Sequence, residues 1–191
     1  MSGASEEPKS PASGSSPRHD DPSEPDGGEK ERSAGAPTAI REGAHAPQAR
    51  ILAAAALIVI TILVYLPAMR GGFIWDDREM AIDSPIVKSP TGLYDIWFTQ
   101  KLPEYHPMSY SVFWAEWRLW GENPAGYHVV NILIHAVNVV LLWLVLRKLR
   151  IPGSWLAALL FGVHPVAVAS AAWIAEIKNT LSMFFYLVAV L

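Results

Sequence analysis

Two adjacent carboxylates, Asp76 and Asp77, follow closely after an uncharged apolar run at 51–69. A run of that length is long enough to cross a bilayer as a helix. Carboxylates at a membrane exit can bind a cation, bind a phosphate through a cation, or take a proton from a hydroxyl as a base. The spacing therefore predicts chemistry at a membrane interface. The alternative is a solvated helix start, because acids favour the first turn of a helix.

The composition divides the chain into two parts. Of its 191 residues, 51% are hydrophobic and 17% are charged, and the mean hydropathy is +0.22. Residues 1–50 contain nine acids and six bases but few large apolar side chains, so they are predicted to form a disordered tail. Their mixed charge gives no basic patch, which argues against nucleic acid as a partner. The lack of cysteine excludes disulfides and thiolate metal sites.

The remaining residues, 51–191, indicate an all-α, polytopic α-helical membrane protein with an incomplete transmembrane domain. Apolar segments predict membrane helices at about 51–69, 127–147, 155–174 and 181–191. A long segment, 70–126, connects the first two and holds five of the eight tryptophans. Because the last apolar run stops at residue 191, we expect the chain to be the N-terminal part of a longer protein, and this part alone to be inactive.

The orientation follows from the connector between the second and third predicted helices. Arg147, Lys148 and Arg150 place this connector in the cytoplasm, because cytoplasmic loops are enriched in cations. The N-terminal tail is then cytoplasmic, and segment 70–126 is an extracytoplasmic loop. The lipid bilayer is accordingly a predicted partner.

A short amphipathic helix is predicted at 108–120 within this loop. Helical spacing puts Phe113, Trp117 and Trp120 on one face, and Glu116 and Arg118 on another. The pattern suits a helix lying in the membrane interface. A helix packed against the protein's own core fits the same pattern equally well.

Four polar residues recur along one face of the second predicted membrane helix. For Asn131, His135 and Asn138 we expect hydrogen bonds between helices, because polar groups in a membrane must be satisfied by protein or water. His128, at the extracytoplasmic end, is the member expected to face a substrate.

His164-Pro165 interrupts the third predicted helix. Proline removes a helix hydrogen bond and restricts the residue before it, so the helix should break there and His164 could line a cavity. A simple kink with a buried histidine is the alternative. Further on, Glu176 and Lys178 mark a polar turn whose side chains could reach a phosphate or a carboxylate.

Several segments, taken in order, resemble a known family. They are Phe73-Ile74-Trp75-Asp76-Asp77, His106-Pro107-Met108-Ser109, the run from Leu119 to His135, Leu160-Phe161-Gly162-Val163-His164-Pro165-Val166, and the run from Ala172 to Leu181. Together they resemble the membrane region of the GT-C-type glycosyltransferases, specifically the transmembrane-and-tetratricopeptide-repeat proteins and their bacterial relatives. The resemblance covers about residues 69–191.

This resemblance implies transfer of a sugar from a polyprenyl- or dolichyl-phosphate carrier to an extracytoplasmic acceptor, either a polypeptide or a glycan. It implies that Asp76 is the base or acceptor anchor and Asp77 its partner, with a divalent cation (Mg²⁺ or Mn²⁺) at these two acids. Residues implied to contact the phosphate or orient the acid are His164, His106, His128 and Lys178. At Ala169 the relatives often carry glutamate, so Glu176 could substitute, and at Ile177 they often carry arginine.

Two further classes of function remain open at this stage. One is a non-catalytic membrane anchor or scaffold for tetratricopeptide repeats, and the other is a transporter fragment that uses the polar stripe as a pathway. The composition of the tail favours a bacterial inner membrane, with the endoplasmic reticulum as the alternative.

Overall fold

The computed structural model describes residues 46–191, and the regular structure in that range is helical. Short 3₁₀ turns occupy Leu66–Arg70 and Ile174–Glu176, and a π-turn occupies Arg78–Ile82. The α-helices of the described range are α1 (Ala46–Tyr65), α2 (Pro85–Lys88), α3 (Gly92–Phe98), α4 (Pro107–Trp120), α5 (Pro124–Lys148), α6 (Ser154–Val163), α7 (Ala167–Ala172) and α8 (Ile177–Val190).

The predicted disordered tail falls mostly on residues 1–45, which lie outside the described residues. Its predicted boundary at residue 50 is wrong, because α1 already begins at Ala46. Proline is well accommodated in a first helical turn, where its missing N–H has no partner to lose. Pro47 is followed by Gln48, Ala49 and Arg50, which are good helix formers and extend the helix beyond the apolar run.

Two helical stretches, Pro47–Arg70 and Pro124–Lys148, are long and apolar enough to cross a membrane. In the most apolar part of the first, only 17% of the residues are buried inside the protein. The predicted third segment is shorter than expected, since α6 ends at Val163 and spans only ten residues. The predicted break at His164-Pro165 is therefore confirmed. The fourth begins at Ile177 rather than at residue 181.

Helix α5 forms the centre of the apolar bundle, and α1, α6 and α8 pack around it. The close approach of α6 depends on Gly162, where an added methyl group would come within 2.9 Å of Val139 and 3.0 Å of Thr61. The indole N–H of Trp155 donates to the Ala53 carbonyl oxygen at 3.0 Å, which ties the start of α6 to α1.

The polar stripe on α5 holds neighbouring helices together, as predicted for three of its members. The Asn131 amide donates to the Trp173 carbonyl oxygen at 2.9 Å, and the Asn138 amide donates to that of Thr180 at 2.8 Å. His135 Nε2 lies 3.1 Å from the Gly162 carbonyl oxygen. These bonds join α5 to the end of α6 at Gly162, to the turn after α7 at Trp173 and to α8 at Thr180.

Segment 70–126 folds as a helical layer at the N-terminal end of α5. Helix α4 packs against α2, α3 and α5, which supports the core-packing alternative for this helix. The Arg118 guanidinium stacks on Trp114 at 3.4 Å and donates to the carbonyl oxygens of Val87 and Ser89. The prediction that Glu116 lies on a polar face is wrong, because its side chain is buried at 2% exposure.

Candidate active site

Asp76 lines an open cleft of about 550 Å³ between the π-turn, α4 and the chain before α4. The position is fixed locally because the backbone N–H of Met80 donates to the Asp76 carbonyl oxygen at 2.9 Å. One carboxylate oxygen of Asp76, Oδ1, is buried and has no hydrogen-bond partner. We name this the acid cleft, and its polar lining residues are Asp76, Glu79, Asp83, Ser84, Lys101, Glu104 and Tyr110.

Asp77 occupies a different environment from its neighbour. It is fully buried, and its two carboxylate oxygens accept backbone N–H groups from Ile74 at 2.9 Å and from Ala175 at 2.7 Å. Burial raises the pKa of Asp77 above its ordinary value, while these two N–H donors act in the opposite direction. Asp77 therefore joins the exit of α1 to the chain between α7 and α8, and thereby fixes the backbone that carries Asp76.

The acid cleft carries more negative than positive charge. Four of its lining residues are acids, and its lysine, Lys101, forms an ion pair with Asp95 at 2.8 Å. Burial raises the pKa of Tyr110, and the carboxylates of Glu104, Glu79 and Asp76 raise it further. Its phenol therefore stays protonated. The cleft suits a neutral hydroxyl or a cation better than it suits a phosphate.

An exposed tryptophan stands directly before Asp76. Trp75 is 82% exposed and has a φ of +47°, a conformation that disfavours residues with a side chain. Its ring meets that of Trp173 edge to face, with centroids 4.8 Å apart. Strained, exposed residues of this kind cluster at functional sites, so the pair marks a surface on which a ring or a lipid chain can pack.

A second, smaller cleft of about 250 Å³ brings together His106 and Lys178, two of the residues implied to contact phosphate. We name it the histidine–lysine cleft. Ser109 and Ser182 also line it. It lies at the start of α4, where the first backbone N–H groups of a helix have no partner within that helix. The Lys178 ammonium contacts Glu176 at 3.2 Å, and Glu176 also accepts a hydrogen bond from Asn179.

The other two histidines implied by the resemblance, His128 and His164, lie outside both clefts. His128 is 4% exposed and packs beside Gly71, where an added methyl group would come 3.3 Å from its Nε2 atom. It lines neither the acid cleft nor the histidine–lysine cleft, and its contact with a substrate stays a prediction. His164 is exposed and lines a separate cavity of about 440 Å³ together with His135 and Asn138. Neither Asp76 nor Asp77 lines that cavity.

The acid pair does not fit one divalent cation as two ligands. A cation needs accessible oxygens, whereas Asp77 is fully buried and both its oxygens already accept N–H groups. Within residues 46–191, no group of three or more acidic or histidine side chains is arranged to hold a metal ion. The divalent cation therefore stays a prediction that rests on the resemblance alone.

The sequence reasoning missed several residues of the acid cleft. Glu79 and Asp83 line the cleft together with Asp76. Glu79 follows Asp76 by three residues and Asp83 follows Glu79 by four, and this helical spacing could have predicted that the three acids share one face. Glu104 and Tyr110 reach it from a different element, so no local pattern could have predicted them. Of the two departures from the family pattern, Ala169 is exposed and Ile177 is buried in the core.

Comparison with known proteins gives relatives for this chain. No protein-family model matches it, and no solved structure matches it. It is 29% identical over 150 residues to Protein O-mannosyl-transferase F38B6.6 of Caenorhabditis elegans, which covers 71% of this chain and 22% of that protein. It is 29% identical over 185 residues to Protein O-mannosyl-transferase Tmtc3 of Drosophila melanogaster, covering 79% and 20%. For Protein O-mannosyl-transferase TMTC4 of Homo sapiens the identity is 30% over 158 residues, covering 69% and 21%.

The chain thus spans about a fifth of the length of the curated relatives it matches. These relatives are named as glycosyltransferases, and the names of two of them carry the abbreviation of the transmembrane-and-tetratricopeptide-repeat proteins. The resemblance that the motifs indicated is confirmed: over most of its length, this chain is a homologue of proteins named protein O-mannosyl-transferases.

Proposed function

We propose that this chain forms part of the active site of an integral membrane glycosyltransferase. The full protein would transfer a mannosyl group from a polyprenyl- or dolichyl-phosphate carrier to a hydroxyl group of a polypeptide. The observation that carries the proposal is the position of Asp76, which lines an open cleft at the end of two apolar helices. The names of the homologues support both the sugar and the protein acceptor.

Asp76 is the proposed base. The acceptor oxygen attacks the anomeric carbon of the mannosyl group and forms the new glycosidic bond. The bond from that carbon to the phosphate oxygen breaks, and its electron pair leaves with the lipid phosphate. The proton of the acceptor hydroxyl passes to the Asp76 carboxylate, which is general-base catalysis by a positioned side chain. Asp77 is a positioning residue, because its two hydrogen bonds hold the backbone of the acid pair.

The histidine–lysine cleft is the proposed site of the donor phosphate. The negative charge of the acid cleft would repel this phosphate, whereas Lys178, His106 and the first N–H groups of α4 favour it. The chain from Pro103 to Pro107 lines both clefts, so donor and acceptor would meet across it. Glu176 contacts Lys178 and would give up this contact when the phosphate binds.

The proposed topology follows from charge and helix length. With α1 and α5 as membrane spans, the basic connector after α5 places the N-terminus in the cytoplasm and both clefts on the other side. A bacterial inner membrane remains our expectation from the composition of the tail, with the endoplasmic reticulum as the alternative.

The transfer proposal is tested with the full-length protein in membranes and mannose donors of two kinds. We expect transfer from polyprenyl- or dolichyl-phosphate mannose and none from the nucleotide sugar GDP-mannose. The Lys178→Gln variant should raise KM for the lipid donor about tenfold or more, because charge-assisted hydrogen bonds to phosphate are lost. Lys88→Gln, at an exposed lysine outside both clefts, is the matched control. Lack of transfer from any donor would instead favour a membrane scaffold.

A second prediction concerns the strained tryptophan. Trp75→Gly should leave the melting temperature unchanged or raise it, because glycine accepts a positive φ without strain. If the indole contacts the donor or the acceptor, the same variant should lower transfer about tenfold. Trp75→Phe, which keeps an aromatic ring, should retain most of the activity. Wild-type transfer by Trp75→Gly would exclude Trp75 from substrate contact.

A further inference from the structure

The two ends of the apolar bundle differ sharply in charge. All nine acidic residues of the range 46–191 lie between residues 76 and 122 or at position 176, near the start of α5. The other end of α5 and the neighbouring start of α1 carry Arg50, Arg147, Lys148 and Arg150. Helix α5 has 25 residues and is about 37 Å long, so the two sets of charges are far apart.

At this basic end, α1 and α5 form a groove of about 540 Å³. Arg50 and Arg147 line it together with the apolar side chains of Ile51, Ala54, Val140 and Leu144. Among the described residues, neither arginine forms an ion pair with a carboxylate. Within residues 46–191, the groove thus combines two arginines that lack a carboxylate partner with apolar walls.

The groove is supported by packed side chains rather than by loose ones. The Arg147 guanidinium lies over the Trp143 ring at 4.9 Å, and Trp143 is buried with Leu57, Val139 and Ala158. This packing restricts the guanidinium and reduces the entropy that a ligand would otherwise have to overcome. Lys148 also lines the groove.

We propose that this groove binds one anionic phospholipid, with its phosphate between Arg50 and Arg147 and an acyl chain along the apolar walls. Both parts of the groove are needed, because the cations select the headgroup charge and the walls accommodate the chain. Basic pockets between membrane helices commonly bind anionic headgroups in this way. The proposal requires α1 and α5 to cross a membrane, but it does not depend on the transfer activity.

Arg150 provides a matched control within the same charged end. It is exposed, does not line the groove and has a φ of +58°, at a helix end where glycine is usual. Arg150→Gly therefore removes one cation near the groove and relieves backbone strain at the same time. Its folding should be at least as stable as that of the wild type.

The test uses the full-length protein in detergent micelles, titrated with phosphatidylglycerol or phosphatidylcholine and examined by native mass spectrometry. We expect one tightly bound phosphatidylglycerol and much weaker phosphatidylcholine binding. Arg50→Gln and Arg147→Gln should each lower the affinity for phosphatidylglycerol about fivefold, while Arg150→Gly leaves it unchanged. The double variant Arg50→Lys/Arg147→Lys, which keeps both charges, should keep most of the affinity. It provides the test if the glutamine variants do not fold.

Three results would overturn the proposal. An equal loss of affinity in Arg150→Gly and the groove variants would mean diffuse attraction to the basic end. Equal binding of phosphatidylcholine would mean an apolar groove without headgroup selection. Displacement of the lipid by millimolar inorganic phosphate would mean a simple anion site in which the acyl chain plays no part.

Discussion

Replacing Asp76 with asparagine in the full-length protein should lower mannose transfer by about 10²- to 10⁴-fold, the usual contribution of a positioned base. Asparagine has nearly the same shape but cannot take the proton of the acceptor hydroxyl. Because Asp76 lines an open cleft and makes no side-chain hydrogen bond, its substitution should leave the melting temperature unchanged. The loss should appear mainly in kcat, measured with a lipid-phosphate donor and a peptide acceptor.

Asp77→Asn is the informative comparison, because the two acids differ in environment although they are adjacent. An amide group has only one acceptor oxygen, so either Ile74 or Ala175 would lose the partner of its N–H group. Leaving one buried donor unpaired costs about 1–3 kcal/mol. We therefore expect Asp77→Asn to lower both stability and transfer. Equal transfer by the wild type and Asp76→Asn would remove Asp76 from the chemistry.

The second large effect is a dependence of stability on pH that arises from Glu116. Burial raises the pKa of this carboxyl to about 9, and neither of its oxygens has a hydrogen-bond partner. The folded protein therefore retains a proton that the unfolded chain loses near pH 4.5. The stability contribution of the protonated form is complete below about pH 4.5 and is lost as the pH rises towards 9. Between pH 6 and pH 8, the free energy of unfolding should fall by about 3 kcal/mol.

Glu116→Gln should remove this dependence, since glutamine has a similar shape and does not ionise. The measurement is denaturant unfolding in detergent micelles at several pH values. Glu122→Gln, at an exposed acid of the same region, should retain the wild-type pH profile. A wild-type protein whose stability does not change between pH 6 and pH 8 would show that Glu116 is hydrated or paired in solution.

The elements that rest on local patterns were predictable from the sequence. An uncharged apolar run needs only its length to indicate a spanning helix, and a proline needs only its missing N–H to end one. Asn131, His135 and Asn138 were predictable as hydrogen-bonding groups because polar side chains on a long apolar helix need partners from neighbouring helices. In each case the physical cause lies within a few residues of the feature.

The elements that rest on distant contacts were not predictable in this way. The helical spacing places Glu116 on the face opposite the aromatic residues, where an exposed acid would be expected. Its side chain is nevertheless buried, because α2, α3 and α5 pack around α4. Asp76 and Asp77 differ in role because Asp77 accepts a hydrogen bond from the backbone N–H of Ala175. No local pattern in the sequence indicates that distant contact. The acid cleft likewise combines the π-turn with Glu104 and Tyr110 of another element. Long-range packing decides these placements, and the sequence order alone does not reveal it.

The hydrogen bond between Ala175 and Asp77 has a consequence for biosynthesis. It joins two positions that are 98 residues apart in the chain. At an ordinary rate of protein synthesis, the ribosome needs about 5 to 20 seconds to add those residues. During that interval, α1 and the acid pair are already synthesised while Asp77 still lacks its second donor. The acid pair therefore takes up its final arrangement late, only after translation has passed α7.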